Sequence, residues 1–150
     1  MERVLFAKDI VSTLSGLVGG VIAMAFGGWT EGLTTLLILM CVDYVTGLVV
    51  AGIFKASPKT ETGGLESRAG WKGLVRKVCT LLIVMVAYRI DVALGTTYLM
   101  NAAVIGFIVN ELISLVENVG LMGIPMPKAI TKAIDILTAK AEIEDEKAED

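Results

Sequence analysis

The sequence predicts an all-α integral membrane protein with four transmembrane helices and a short C-terminal amphipathic helix. Of its 150 residues, 55% are hydrophobic, and the mean hydropathy is +0.74. A soluble domain of this size needs less apolar surface to fill one core. Four apolar runs also approach the roughly 20 residues that a helix needs to cross a bilayer. We therefore expect one membrane domain over residues 1–150, with no room for a separate catalytic domain.

The first apolar run, residues 10–30, contains no charged residue. Small residues recur in it every four positions along two adjacent ridges of a helix, and another helix can approach such ridges closely. We predict that the glycines of these ridges form a helix–helix interface: Gly16, Gly19, Gly20 and Gly27. Alternatively, they reflect only the high frequency of glycine in membrane helices.

The second and third runs, residues 32–54 and 78–94, carry charge within the predicted bilayer. Asp43 costs the second run about 3 kcal/mol, but twelve Leu, Ile, Val and Phe residues return about 0.3–0.6 kcal/mol each, so insertion is favoured. Arg89 and Asp91 bring the summed preference of the third run close to zero. We therefore expect the third helix to need its neighbours in order to stay in the membrane.

The fourth run, residues 97–116, is apolar except near its end, and it is predicted to span the bilayer. Residues 55–77 form a polar, glycine-containing stretch that is typical of a loop. Pro127 suits the first position of a helix, and apolar residues share one face of residues 127–140. This amphipathic helix is predicted to lie either on the membrane surface or against loops of its own chain. Residues 141–150 are predicted to form a frayed, solvated acidic tail.

The basic residues predict the orientation of the chain. Six of the 13 Lys and Arg residues lie in the 55–77 loop, and a four-span arrangement places 12 of the 13 on one side of the membrane. Cytoplasmic loops are the ones enriched in Lys and Arg. We therefore expect both termini to be cytoplasmic.

Residue types that carry catalysis are missing or isolated in the sequence. The chain has no His, no Ser or Thr with a base beside it, and no phosphate-binding glycine loop. Cys41 and Cys79 lie singly within apolar runs, so we expect them to be packing residues and not a metal or redox pair. We expect no enzymatic activity, no cofactor, no metal and no nucleic-acid partner. The expected partners are the lipid bilayer and further copies of the chain.

Three ionisable residues at predicted membrane depth are candidate functional groups: Asp43, Arg89 and Glu111. Asp43 and Arg89 each lie 11 residues from the predicted cytoplasmic end of their runs, about 16 Å along a helix. We predict that these two pair, within or between subunits, either to fix helix register or to line a water-filled lumen. Glu111 is predicted nearer the cytoplasmic surface, solvated or paired with the basic loop.

Four segments of the sequence stand out as motifs: Asp-Tyr-Val-Thr-Gly at 43–47, the loop at 67–77, the segment at 110–118 and Gly-Ile-Pro-Met-Pro at 123–127. Together they resemble the bacteriophage holin family that also contains toxin-secretion holins. These segments occur in the family's order and cover roughly residues 32–137. The first apolar run is similar in hydropathy only.

The resemblance implies a bacterial cytoplasmic membrane protein that forms homo-oligomers and opens pores or lesions. Its functional partner would be a cell-wall-degrading endolysin or an exported toxin. The matching positions are expected to carry function: Asp43, Gly47, Gly70, Gly73, Arg76, Lys77, Asn110, Glu111, Glu117 and Asn118.

Local physical chemistry suggests individual roles for some of these positions. Gly70 and Gly73 would allow a tight turn beside the membrane, and Arg76 and Lys77 would anchor the third helix to lipid headgroups. Asn110, together with Glu111, would offer interhelical hydrogen bonds.

Two other functions remain open from the sequence. The first is a small ion channel or transporter that uses the membrane carboxylates of Asp43 and Glu111. Transporters usually contain internal repeats, and no half-to-half symmetry is evident here. The second is a regulatory membrane protein such as an antiholin, which would have almost the same sequence as a holin.

Overall fold

The chain folds as five α-helices and one π-helical turn, with no strand among the described residues. A computed structural model describes the backbone of residues 2–149 and the side chains of residues 6, 8–137, 139 and 140. The helices are α1 (Glu2–Phe26), α2 (Glu31–Val49), α3 (Ser67–Leu94), α4 (Tyr98–Leu121) and α5 (Lys128–Glu149), and the π-helical turn (Val50–Phe54) continues α2.

A short connection joins α1 to α2. Gly27 and Gly28, at φ +73° and +120°, end α1 in a backbone conformation that side-chain-bearing residues rarely adopt. Thr30 then caps α2, because its hydroxyl oxygen accepts a hydrogen bond from the backbone N–H of Leu33 at 3.1 Å. A tight turn of four residues, 27–30, therefore joins α1 to α2.

Helix α4 is the centre of the bundle and packs against α2, α3 and α5. The buried core lies mainly between α2 and α4, with one contribution from α3: Leu33, Leu36, Met40, Val84, Met100, Val104 and Ile108. Among the described residues, α1 packs only against α3. Most of the core is thus formed without α1.

The boundaries of the helices differ from several sequence predictions. The loop predicted at 55–77 ends earlier, because α3 already begins at Ser67. Gly70 and Gly73 therefore lie within a helix, and not in a turn as predicted. Conversely, Gly27 lies outside α1, so it is not part of a helical ridge.

The C-terminal helix is longer than predicted and has a different neighbour. It runs from Lys128 to Glu149, where the sequence predicted a helix at 127–140 and a frayed end; Ala, Glu and Lys are strong helix formers, which explains the extension. It packs against α4, and Leu137 reaches the core cluster. The acidic side chains of residues 141–150 lie outside the described residues.

Within the described part of the chain, three helical segments are long and apolar enough to cross a membrane: Lys8–Phe26, Glu31–Phe54 and Tyr98–Leu121. Helix α3 has 28 residues, which is long enough, but Lys77, Arg89 and Asp91 lie along it. The structure thus supports three of the four predicted spans by length and composition. Spanning by α3 stays a prediction.

Candidate functional site

A buried ion cluster joins α2, α3 and α4. The ammonium of Lys77 on α3 lies 2.8 Å from Oδ2 of Asp43 on α2 and 2.5 Å from Oε2 of Glu111 on α4. The residues Asp43 and Glu111 are only 7% and 5% exposed. One lysine therefore bridges two carboxylates from two different helices.

Asn118 extends this cluster toward the end of α4. Its side-chain amide donates to Oδ1 of Asp43 at 3.0 Å, to the backbone carbonyl of Asp43 at 3.3 Å and to the hydroxyl of Thr46 at 3.1 Å. A Cβ on Gly47 would lie 3.7 Å from the same amide nitrogen. The motif residues Gly47 and Asn118 thus meet where α2 and α4 pack.

The cluster carries an unbalanced charge. Two carboxylates and one ammonium leave one net negative charge when all three groups are ionised. Burial makes each unpaired charge costly, so removing a single partner from such a cluster is far more destabilising than removing an exposed charge. The ions are satisfied only while α2, α3 and α4 stay together.

A cavity of about 120 Å³ borders the cluster beneath the 57–66 loop. Its polar wall includes Asp43, Lys77, Glu111 and Asn118, and the loop contributes Ser57 through Thr60 on the other side. The cavity therefore connects the ion cluster with the polar end of the bundle.

Two glycines bring α3 close to α2 at this cavity. A Cβ on Gly70 would lie 3.6 Å from the Tyr44 hydroxyl, and a Cβ on Gly73 would lie 3.8 Å from the Tyr44 ring. Because these glycines have no side chains, they leave room for Tyr44 to pack against α3, and they do not act as turn residues. This contact positions the start of α3, ten residues before Lys77.

The predicted pair between Asp43 and Arg89 is wrong within one chain. Arg89 is exposed, and the partner of Asp43 is Lys77. The predicted depth of Arg89 was measured from residue 78, near which the third helix was expected to begin. The helix in fact begins at Ser67, so Lys77 lies well inside it. The headgroup-anchor role predicted for Lys77 is therefore also wrong, while Arg76 is exposed.

Glu111 and its neighbour Asn110 differ in environment. Glu111 is paired with Lys77, the last residue of the predicted basic loop, and it is buried and not solvated. Asn110 is exposed but still lines the cavity beside the ion cluster, whereas Glu117 is exposed and does not line it. Cys41 and Cys79, predicted to be packing residues, are exposed free thiols in the single chain.

A third buried carboxylate, that of Asp91, has a structural role that was not predicted from the sequence. Asp91 accepts hydrogen bonds from the Thr96 hydroxyl at 2.6 Å and from the backbone N–H groups of Leu99 and Met100 at 3.2 and 2.8 Å. These N–H groups belong to the first turn of α4, where backbone N–H groups have no carbonyl acceptor within their own helix. Asp91 lies inside α3, seven residues before α4 begins, so the signal in the sequence is an acidic residue close to the short connection that leads into a helix N-terminus.

The sequence profile of the bacteriophage holin family matches residues 20–139, which include the whole ion cluster. The chain belongs to this family. A protein of Bacillus phage phi105 named a probable holin is 31% identical over 121 residues, covering 80% of this chain and 84% of that protein.

Two bacterial proteins are also similar to this holin-family chain. An uncharacterized protein of Halalkalibacterium halodurans is 40% identical over 129 residues, covering 82% of this chain and 90% of its own. An uncharacterized protein of Listeria innocua is 35% identical over 130 residues, covering 86% and 87%. No solved structure matches the chain.

Proposed function

We propose that this chain oligomerises in the bacterial cytoplasmic membrane and opens lesions through which a cell-wall-degrading endolysin or a toxin leaves the cell. Membership of the holin family supports this function. The observation that carries it is the ion cluster of Asp43, Lys77 and Glu111, because charged groups in membrane helices face either a bundle interior or water.

The closed bundle hides polar groups that are suited to line an aqueous opening. Asp43, Glu111 and Asn118 are buried only because α3 supplies Lys77 and because α2 packs on α4. If these helices separate in an oligomer, water replaces the lost partners and solvates the net negative charge. Opening of a lesion would therefore change the ion cluster from a contact between packed helices into part of the water-exposed lining of the lesion.

We place the 57–66 loop and both termini on the cytoplasmic side. The basic residues around this loop support the orientation, since cytoplasmic loops are enriched in Lys and Arg. The cavity next to the ion cluster would then open toward the cytoplasm.

The test is induction in bacteria that contain a folded cytosolic reporter protein, with potassium efflux and reporter release followed in the same cells. A lesion-forming protein should accumulate first and then release both abruptly. Replacing Gly16, Gly19 and Gly20 together with Leu should delay or abolish this event without blocking insertion, because bulk on the ridge prevents close helix approach.

A control places the same three leucine side chains on the opposite face of α1, where each adds one methylene group to a valine. The triple change Val11→Leu, Val18→Leu and Val21→Leu should keep the timing of release. Gradual potassium loss without reporter release would contradict the lesion proposal and favour a small channel. Accumulation without either leak would favour an antiholin-like regulator.

A further inference from the structure

Helix α1 has no partner over most of its length. Its residues from position 8 to 21 are exposed, and a Cβ on Gly16, Gly19 or Gly20 would meet no atom within 4 Å. Contact with α3 occurs at its C-terminal end, where a Cβ on Gly27 would overlap the Tyr88 ring. Every copy of the chain therefore carries an apolar helix that its own bundle leaves uncovered.

A shallow groove on the outer surface of α3 and α4 is the complementary feature. It has a volume of about 600 Å³. Small side chains form much of it, including Cys79, Thr80, Ala103 and Gly106. A groove of small residues allows a helix with a glycine ridge to approach backbone to backbone.

The α1 of the same chain lies on the other side of α3. Tyr88, which contacts Gly27, follows Cys79 by nine residues, and at about 100° per residue these two positions face opposite sides of the helix. The short 27–30 connection also ties α1 to the start of α2. The groove is therefore available to α1 of another copy.

The ridge and the groove lie at matching depth. Counting back from the contact between Gly27 and Tyr88, Gly19 is eight residues below on α1 and Thr80 is eight residues below on α3, each about 12 Å away. Both helices cross in the same direction if α1, α2 and α3 alternate through the membrane. A neighbouring copy inserted in the same orientation thus brings its glycines level with the groove.

Charge also matches at the cytoplasmic end. Asp9 lies on the same face of α1 as Gly16, seven residues earlier, and Arg76 lines the corresponding end of the groove. By the same count Arg76 lies about 9 Å deeper than Asp9, a gap that a long snorkelling arginine side chain and a carboxylate can close. The interface would therefore carry one ion pair at the membrane surface.

We propose that α1 of one copy docks into the α3–α4 groove of the next copy. The two surfaces are different, so the contact is heterologous, and repeated copies form a ring or an open array and not a closed dimer. This inference rests on the proposed oligomeric function and names the surfaces that build the oligomer.

The test is disulfide crosslinking in isolated membranes between two differently tagged chains, both carrying Cys41→Ser. One chain carries Gly19→Cys with Cys79→Ser, and the other keeps Cys79. We expect an oxidised species that contains both tags. Val21→Cys in place of Gly19→Cys lies on the opposite face of α1, only about 3 Å farther along the helix, and it should give an at least about ten-fold weaker crosslink, because the two Cα atoms of a disulfide must approach within about 7 Å.

A single chain with Gly19→Cys and native Cys79 should form a ladder of species beyond the dimer. Dimers that form equally well without Cys79 would overturn the proposal in favour of a symmetric contact between two α1 helices. Absence of the mixed species would also overturn it, even if the reporter protein is released. A clear ladder without reporter release would leave the interface intact and contradict the lesion function.

A charge exchange gives an independent measurement. Asp9→Arg in the chain that carries Gly19→Cys, or Arg76→Asp in the chain that keeps Cys79, should weaken the mixed crosslink, and the two exchanges together, one in each chain, should restore it. Loss that the exchange does not repair would show that these residues do not meet across the interface.

Discussion

The ion cluster and helix α1 differ in opposite ways: the cluster is polar but paired within the chain, and the helix is apolar but mostly uncovered. Asp43, Lys77 and Glu111 are polar, yet each finds its partner within the chain. The Lys8–Phe26 segment is apolar, yet none of its described side chains is fully buried, and only its C-terminal end packs on the bundle. The comparison indicates that the bundle of α2, α3 and α4 is complete in one copy, whereas α1 is left for lipid or for a neighbouring chain.

The two regions should therefore respond differently to substitution. Changes in the ion cluster should act on the folding of each copy, because its contacts are within the chain. Changes on α1 should leave the bundle intact and act on assembly.

The largest expected effect is that of Lys77→Met. It leaves two buried carboxylates facing each other without a cation, which we expect to cost about 3–5 kcal/mol. Detergent-solubilised protein titrated with sodium dodecyl sulfate, followed by its helical circular dichroism, measures the loss. Lys72→Met, at an exposed position on the same helix, is the control and should change stability little. Equal effects of the two substitutions would show that the cluster does not hold the bundle together.

Asn118→Ala should have an intermediate effect, about 1–3 kcal/mol in the same titration, because it removes the amide that bonds Asp43 and Thr46 and leaves their buried oxygens with fewer partners. The control is Asn101→Ala, whose side chain is exposed and bonds only the local carbonyl of Thr97. If the exposed asparagine matters as much as the buried one, the cross-helix role of Asn118 is contradicted.

The smallest effect on the bundle should come from Gly27→Ala, at the point where α1 meets α3. An L-residue in the left-handed region costs roughly 1–2 kcal/mol, and the added methyl group would also displace the Tyr88 ring. Gly95→Ala has a similar φ of +68° but open space around it, so it reports the backbone cost alone. We expect Gly27→Ala to increase protease access to α1 more than Gly95→Ala does; no difference would mean that the Tyr88 contact does not hold α1.

Helix α3 shows why the boundaries of the helices could not be predicted from apolar runs. Residues 67–77 are polar and contain two glycines, which favour a loop in the sequence. In the structure they form three turns of helix, because the glycines pack against Tyr44 and Lys77 finds two carboxylates. Tertiary partners outweighed the local signal.

The family and the all-helical class were predictable from the sequence because they depend on composition and on short segments in a fixed order. Apolar length identifies membrane helices, since a bilayer requires about 20 apolar residues whatever their partners are. Asp43, Lys77, Glu111 and Asn118 were identifiable only as members of a larger group of ten motif positions.

The partner of each charge was decided only by the tertiary structure. The number of residues between a charged position and the end of its apolar run gives its depth in the membrane but not the face of the helix on which it lies. That depth also depends on where each helix begins. The crossing of α2, α3 and α4 turned Asp43 toward Lys77 and Asn118, and the same packing left Arg89 on an exposed face of α3. Pairing of buried charges requires direction as well as depth, and direction arises only when the helices pack.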